Sequence, residues 1–241
     1  MSRRLQLPVP LLTAVVLVVA VALGVGTPPA DAATRTVTLG GVRVTLAADT
    51  QQVVTVNRSS GTRARVTYWR RTSTGWDARR TTTDARIGSG GLVAGSERKQ
   101  WTSTTPTGTY AMREAFGNSA APAGTDLPFH RVRTGDYWVQ DNASAFYNQL
   151  RNRSQGGFRH ALPSSRRNGS EYLPSYRSQY RWAIVIDFNR PTAVRRKGSG
   201  IFLHVNGSGA TGGCVSVPRA FMQDMMELLH PRYEPVIAIG R

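Results

Sequence analysis

The chain has 241 residues, 31 basic and 14 acidic side chains, a formal net charge of +17 and a single cysteine. One cysteine excludes an intramolecular disulfide, and a balance this basic draws the chain toward polyanions. The length suits one sizeable domain or two small ones.

At the N-terminus, Arg3 and Arg4 precede an almost wholly apolar run from Leu11 to Gly26, which Thr27-Pro28-Pro29 breaks. The run is short of the about 20 residues a spanning helix needs and leads into Ala30-Asp31-Ala32, a small-x-small cleavage pattern. Residues 1–32 are therefore expected to be a secretory signal cleaved after Ala32, and membrane contact is expected only through that segment. Losing Arg3, Arg4 and Asp31 with it leaves 29 basic and 13 acidic residues, a charge of about +16. For an exported protein the expected partners are anionic wall polymers; nucleic acid is not expected.

Residues 33–41 read as a linker and 42–241 as one domain. Val42 to Leu46, Val53 to Val56 and Ala64 to Trp69 alternate or run apolar between turn residues, as half-buried strands do. From Thr72 to Asp126, frequent Gly, Ser, Thr and Pro predict loops and short strands. Trp138, Phe146, Tyr147 and Leu150 predict a short helix after Asp141-Asn142. Residues 151–181, rich in Arg, Ser, Gly and Asn, predict a long surface loop of the kind that carries function or is disordered. Trp182 to Phe188 and Ile201 to Val205 are apolar runs typical of central strands. Pro218 opens a helix with Phe221, Met225, Leu228 and Leu229 at three- and four-residue spacing, and the Met222, Met225 and Met226 cluster reads as core. Pro231 stops this helix, and Val236 to Ile239 reads as a last strand. The expected fold is mainly β with one or two helices.

Chemistry concentrates in one segment. His204 ends an apolar strand, and ten positions later, across a glycine-rich turn, stands the sole cysteine, Cys214. A thiol is a poor nucleophile near neutral pH unless a base or positive dipole activates it, and imidazole is such a base. Gly212 and Gly213 have no side chains, so their N–H groups and that of Cys214 can approach an oxyanion closely. A helix beginning at Pro218 would favour thiolate further. His130, His160 and His230 have no comparable context, and no His/Cys/carboxylate spacing suits a metal, so neither metal nor cofactor is expected.

Thr211-Gly212-Gly213-Cys214 with His204 upstream resembles the signature of the YkuD-type L,D-transpeptidase domain. Thr105-Pro106-Thr107-Gly108-Thr109-Tyr110, Asp136-Tyr137-Trp138, Tyr147-Asn148 and Ile186-Asp187-Phe188-Asn189 extend the likeness, which reaches from Val42 to Ile239. The interval between His204 and Cys214 is shorter than the commonest form, Val205 replaces a Gly or Ser, and Ser216 stands where Arg or Asn is frequent. The resemblance implies a mixed-strand β-sandwich acting on peptidoglycan stem peptides, and a monomer is expected. It implies Cys214 as nucleophile, His204 as base, Gly212 and Gly213 at the oxyanion, and Thr211 and Ser216 on the substrate; Trp138 and Tyr147 could stack on a muropeptide but read first as core. The reaction it implies releases terminal D-alanine and forms a three-to-three cross-link through a Cys214 thioester, with water as the alternative acceptor; a catalytically silent wall-binding domain, for which the basic surface would suffice, is the other reading. It also implies that carbapenems acylate Cys214. Protein recovered from culture or wall fractions should have an intact mass that begins at Ala33 or within a few residues of it. An unprocessed Met1 form found only in membranes would overturn the cleavage assignment.

Overall fold

A computed structural model describes Met1 and residues 34–241, so the expected signal segment and its cleavage site lie outside the described residues. The described chain is a mixed-strand β-sandwich. It opens with the hairpin β1 (Arg35–Leu39) and β2 (Val42–Leu46), the long strands β3 (Gln52–Ser60), β4 (Arg63–Arg71) and β5 (Trp76–Arg86), then β6 (Leu92–Ala94), β7 (Thr105–Ala111), β8 (Ala115–Gly117) and β9 (Phe129–Arg131). There follow β10 (Asp136–Trp138), β11 (Leu150–Asn152), β12 (Glu171–Tyr172), β13 (Ala183–Val185), β14 (Phe202–Val205), β15 (Val215–Val217), the helix α1 (Arg219–Leu228) and β16 (Val236–Gly240).

Eleven strands form one mixed sheet in the order β6-β7-β16-β3-β4-β5-β15-β14-β13-β8-β9. Its two halves share one core. Val54, Val56, Val66, Ile237 and Ile239 from one half join Ile184, Leu203, Val205, Val215 and Val217 from the other in a single buried cluster, completed by Met222, Met225 and Met226 of α1. α1 packs against β14 and β5. The seam between the halves is narrow, a single register pair of Ser216 with Arg86.

The apolar runs of the central strands arise because both faces are covered. On β14, Leu203 and Val205 enter the main core, while Phe202 enters a second cluster with Phe116, Trp138, Leu173, Tyr180 and Cys214. On β3, Val54 and Val56 face the main core and Val53 faces the outer side, where Leu39, Val42, Val44 and Leu46 of the hairpin cover it. The hairpin is tied down by Asn57 Nδ2 donating to Gly40 O (2.7 Å) and Thr45 N donating to Thr109 Oγ1 (3.0 Å).

Several expectations need correction. The stretch 33–41 carries β1 and half of a packed hairpin, because Leu39 and its neighbours have an apolar surface of the sheet to cover. The Thr72 to Asp126 region holds the eleven-residue β5, hidden in the sequence by its Arg- and Thr-rich, largely exposed faces. No helix follows Asp141-Asn142. Asp141 accepts from Ala143 N and holds Arg159 in a salt bridge, which favours a turn, and Leu150 pairs with Trp138 across β10 and β11. Residues 151–181 contribute β12 and, with β10 and β11, a three-stranded sheet over the second face of β13 and β14. Among the described residues no helix is long and apolar enough to cross a membrane.

Leu46 is fully buried between the hairpin and the sheet. Leu46→Ala should lower stability by about 2–5 kcal/mol in urea unfolding. A loss below about 0.5 kcal/mol, the size of an ordinary surface substitution, would show that the hairpin does not belong to the core.

Candidate active site

β14 and β15 run parallel, with Leu203 opposite Val215 and His204 opposite Ser216. Side chains alternate along strands, so Phe202, His204, Cys214 and Ser216 share the face turned from the main core. Cys214 lies just before β15, beside Phe202: the Phe202 N–H donates to its Sγ (3.4 Å), and Sγ donates to Gly200 O (3.3 Å). The thiol and the imidazole line one cavity of about 550 Å³, together with Gly200, Glu171, Tyr176 and Tyr180. The last three come from the 151–181 segment, so the region expected to be a surface loop builds a wall of the cavity.

Two hydroxyls fix the cysteine's backbone. Thr211 Oγ1 donates to Cys214 O (2.6 Å), and Thr105 Oγ1 lies 3.4 Å from the same oxygen. Thr211 is itself held by N–H donation to Ile87 O and by Ser89 N donating to its carbonyl. The loop passes so close to its neighbours that a Cβ on Gly88 would overlap Ser103 O and press on Gly213 Cα. Gly213 has φ of 131°, and a Cβ there would come 2.9 Å from both Arg98 Nη2 and Thr104 O, so glycine alone fits. The Gly213 N–H donates to Thr211 Oγ1 (3.2 Å) and is therefore not free for an oxyanion. The N–H groups of Gly212 and Cys214 have no protein acceptor among the described residues.

His204 is oriented by a backbone group that the sequence does not reveal. Its Nδ1 lies 2.8 Å from Val205 O. A carbonyl can only accept, so Nδ1 carries the proton and Nε2 keeps its lone pair, the tautomer a base requires. Tyr180 meets the imidazole edge-on at 5.3 Å between ring centroids. Burial pulls His204 down to about 4 and pushes the Cys214 thiol up to about 12. At neutral pH the resting pair is thus thiol and neutral imidazole, not an ion pair. The Phe202 N–H and the Arg98 guanidinium act the other way, toward thiolate. Arg98 is 5% exposed, donates to Thr104 O (2.8 Å) and Lys197 O (3.2 Å), and has no carboxylate partner among the described residues. It brings positive charge behind Cys214 from a distant segment, in a chain where Ser216 occupies the position at which Arg or Asn was expected.

The profile described as the L,D-transpeptidase catalytic domain, YkuD, matches residues 51–237. The chain belongs to this family. No curated protein matches this YkuD-family chain. Among solved structures, that of Bdellovibrio bacteriovorus Bd1075 is 14% identical, with a TM-score of 0.39, over 79% of this chain. The match spans about half of the Bdellovibrio protein, 48% of its length.

In this YkuD-family domain three of the four sequence-predicted contact residues lie off the cavity. Trp138 is buried 4.8 Å from the Phe202 ring centroid, with its indole N–H donating to Asn148 Oδ1 (2.9 Å). Tyr147 is buried with its hydroxyl donating to Gln100 Oε1 and accepting from Gly198 N–H. Neither lines the cavity; both support the strands behind it. Ser216 is fully buried beside His204 and also lies off the cavity. Thr211 does line the cavity, but its hydroxyl is engaged by Cys214 O and Gly213 N–H. The helix dipole is displaced too: the three residues of β15 lie between Cys214 and Pro218, four extended steps or about 13 Å, whereas the dipole acts within about one turn. Arg98, Glu171 and Tyr180 were not singled out from the sequence. Glu97-Arg98-Lys99 looks like ordinary surface charge, and no spacing ties it to Cys214.

A thiol raised by burial stays protonated in the folded protein at pH values where the unfolded chain already ionises. Its contribution to stability is therefore complete below the ordinary thiol value and is lost as pH rises toward about 12. Thiolate ultraviolet absorbance of the free protein should be absent at neutral pH and grow only at strongly alkaline pH. A thiolate signal at neutral pH would overturn the neutral-pair assignment.

Proposed function

We propose that this domain is a peptidoglycan L,D-transpeptidase, working outside the cell, in which Cys214 is the nucleophile and His204 the base. The observation that carries the reading is the single shared face: one strand pair holds a thiol and an imidazole of the right tautomer at one cavity, in a chain of the L,D-transpeptidase family. The substrate is a stem tetrapeptide whose third residue is a diamino acid.

His204 Nε2 takes the thiol proton as Sγ attacks the carbonyl carbon of that third residue. The Gly212 and Cys214 N–H groups accommodate the developing oxyanion, and the Arg98 charge favours sulfur in its anionic form. Collapse breaks the C–N bond, the imidazolium gives its proton to the departing D-alanine amine, and Cys214 holds the acyl group as a thioester. An amine of a second stem resolves it to a three-to-three cross-link; water would resolve it to a tripeptide. Because the resting pair is neutral, no standing ion pair is needed: proton transfer and attack are coupled once substrate has entered.

With purified disaccharide-tetrapeptide and mass-spectrometric detection, the wild-type protein should release D-alanine. Cys214→Ser should abolish release and also abolish the single carbapenem adduct. His204→Ala should retain the fold and slow turnover by about 10²- to 10⁴-fold. D-alanine release by Cys214→Ser would overturn the proposal.

A further inference from the structure

The cavity carries a charge opposite to that of the molecule. In a chain of net charge +17, no Lys or Arg lines it, and Glu171 is its one carboxylate among the described residues. Glu171 is set by the β10–β12 pairing, in register with Trp138. Its Oε1 accepts from Tyr180 O–H (2.6 Å) and its Oε2 from Gln140 Nε2 (3.3 Å), and no salt bridge reaches it among the described residues. A carboxylate has about four lone-pair sites, so two neutral donors leave room for a cationic one. Position makes the carboxyl relevant to Cys214. A Cβ on Gly200 would lie 3.5 Å from Glu171 Oε2, and the carbonyl of the same Gly200 accepts from Cys214 Sγ. The carboxyl and the thiol thus both border Gly200, on the wall of the cavity they share.

We propose that Glu171 binds the incoming acceptor as an ammonium and takes the proton that makes its amine nucleophilic. This rests on the reading that Cys214 carries the acyl group. An alkyl ammonium has a pKa near 10, so it arrives protonated and inert at neutral pH. Burial pushes the Glu171 carboxyl up to about 7, so it is a better base than a solvent-exposed carboxylate. Moving a proton from ammonium to carboxylate also removes two charges from a dry site, which low polarity favours. The other groups facing Glu171 do not compete: the phenols of Tyr180 and Tyr176 are held neutral by burial, His204 and Cys214 rest neutral, and Arg98 stands behind the cysteine.

The step balances. The ammonium gives one proton to Glu171, and the freed lone pair forms the C–N bond at the thioester carbon. The second amine proton passes to His204 Nε2. The C–S bond breaks with its electron pair on Sγ, and His204 returns that proton to Sγ. Glu171 then releases its proton to solvent. Water brings no extra proton, so hydrolysis needs only His204. Glu171 thus governs which acceptor resolves the thioester.

Glu171→Gln keeps an oxygen for the Tyr180 hydroxyl and removes the base. With disaccharide-tetrapeptide serving as donor and acceptor, first-turnover D-alanine release is measured alongside, so that any change in acylation is separated from the fate of the thioester. The ratio of cross-linked to hydrolysed product should fall at least about tenfold, the lower side of what general-base loss costs, and should recover as pH approaches about 10. An unchanged ratio overturns the proposal. So does a raised donor KM with the ratio intact, which would make Glu171 a donor anchor, and so does a wild-type protein that yields only tripeptide. If Glu171→Gln also loses D-alanine release, Glu171→Asp, which keeps the charge, must restore both release and cross-linking; restored release without cross-linking overturns the assignment. Wild-type protein that releases no D-alanine defeats the cysteine reading itself, a result distinct from an altered product ratio.

Discussion

Burial on both faces of β13, β14 and β15 is the constraint from which the site's chemistry follows. A sheet with one wet face could carry a cysteine and a histidine in contact with water, each near its ordinary pKa. Here Phe116, Trp138, Leu173 and Tyr180 dry the second face, and every polar group placed there must find a partner or stay neutral. His204 finds Val205 O, Cys214 finds Gly200 O and the Phe202 N–H, and the Cys214 carbonyl finds two threonine hydroxyls. The same dryness leaves the thiol and imidazole uncharged at rest. It also gives weight to the charges that do remain near them, since a fixed charge acts more strongly where water is excluded.

Those charges come from opposite sides. Arg98 sits beneath the Gly213 turn on the side of the thiol, and Glu171 lies across Gly200 in the cavity. A cation at the back favours electron density on sulfur; an anion at the front favours a cationic visitor. Neither group has a salt-bridge partner among the described residues, and at the Cys214 thiol the two act oppositely, Glu171 against the thiolate and Arg98 for it.

Much of this arrangement is legible in the sequence, and the reasons for the rest are physical. The apolar runs around Val185 and Leu203 announce central strands because covering both faces removes polar alternation. The pairing of His204 with a cysteine after a glycine turn is legible because so few residue types activate a thiol. The Met222, Met225 and Met226 cluster is core, as its spacing indicates. β5 escapes notice because an exposed strand has no apolar period to detect. Trp138 and Tyr147 are core, the weightier of their two readings, and their packing against Phe202 and Gln100 decides against substrate stacking. Glu171 escapes for the converse reason: a carboxylate among Arg, Ser and Gly looks solvated until a distant strand, β10, pairs with its own.

The alternation along β14 and β15 carries a consequence for how such domains can diverge. Residues can be added to or lost from the 206–213 turn without changing which way Cys214 points, because direction is set by the strand ladder and not by the length of the connection. A single residue inserted within either strand is different. In β15, with Val217 held in register, it would turn Cys214 by half a period toward the main-core valines; in β14 it would do the same to His204. The number of residues between histidine and cysteine is therefore loosely constrained, whereas odd-or-even position within each strand is not.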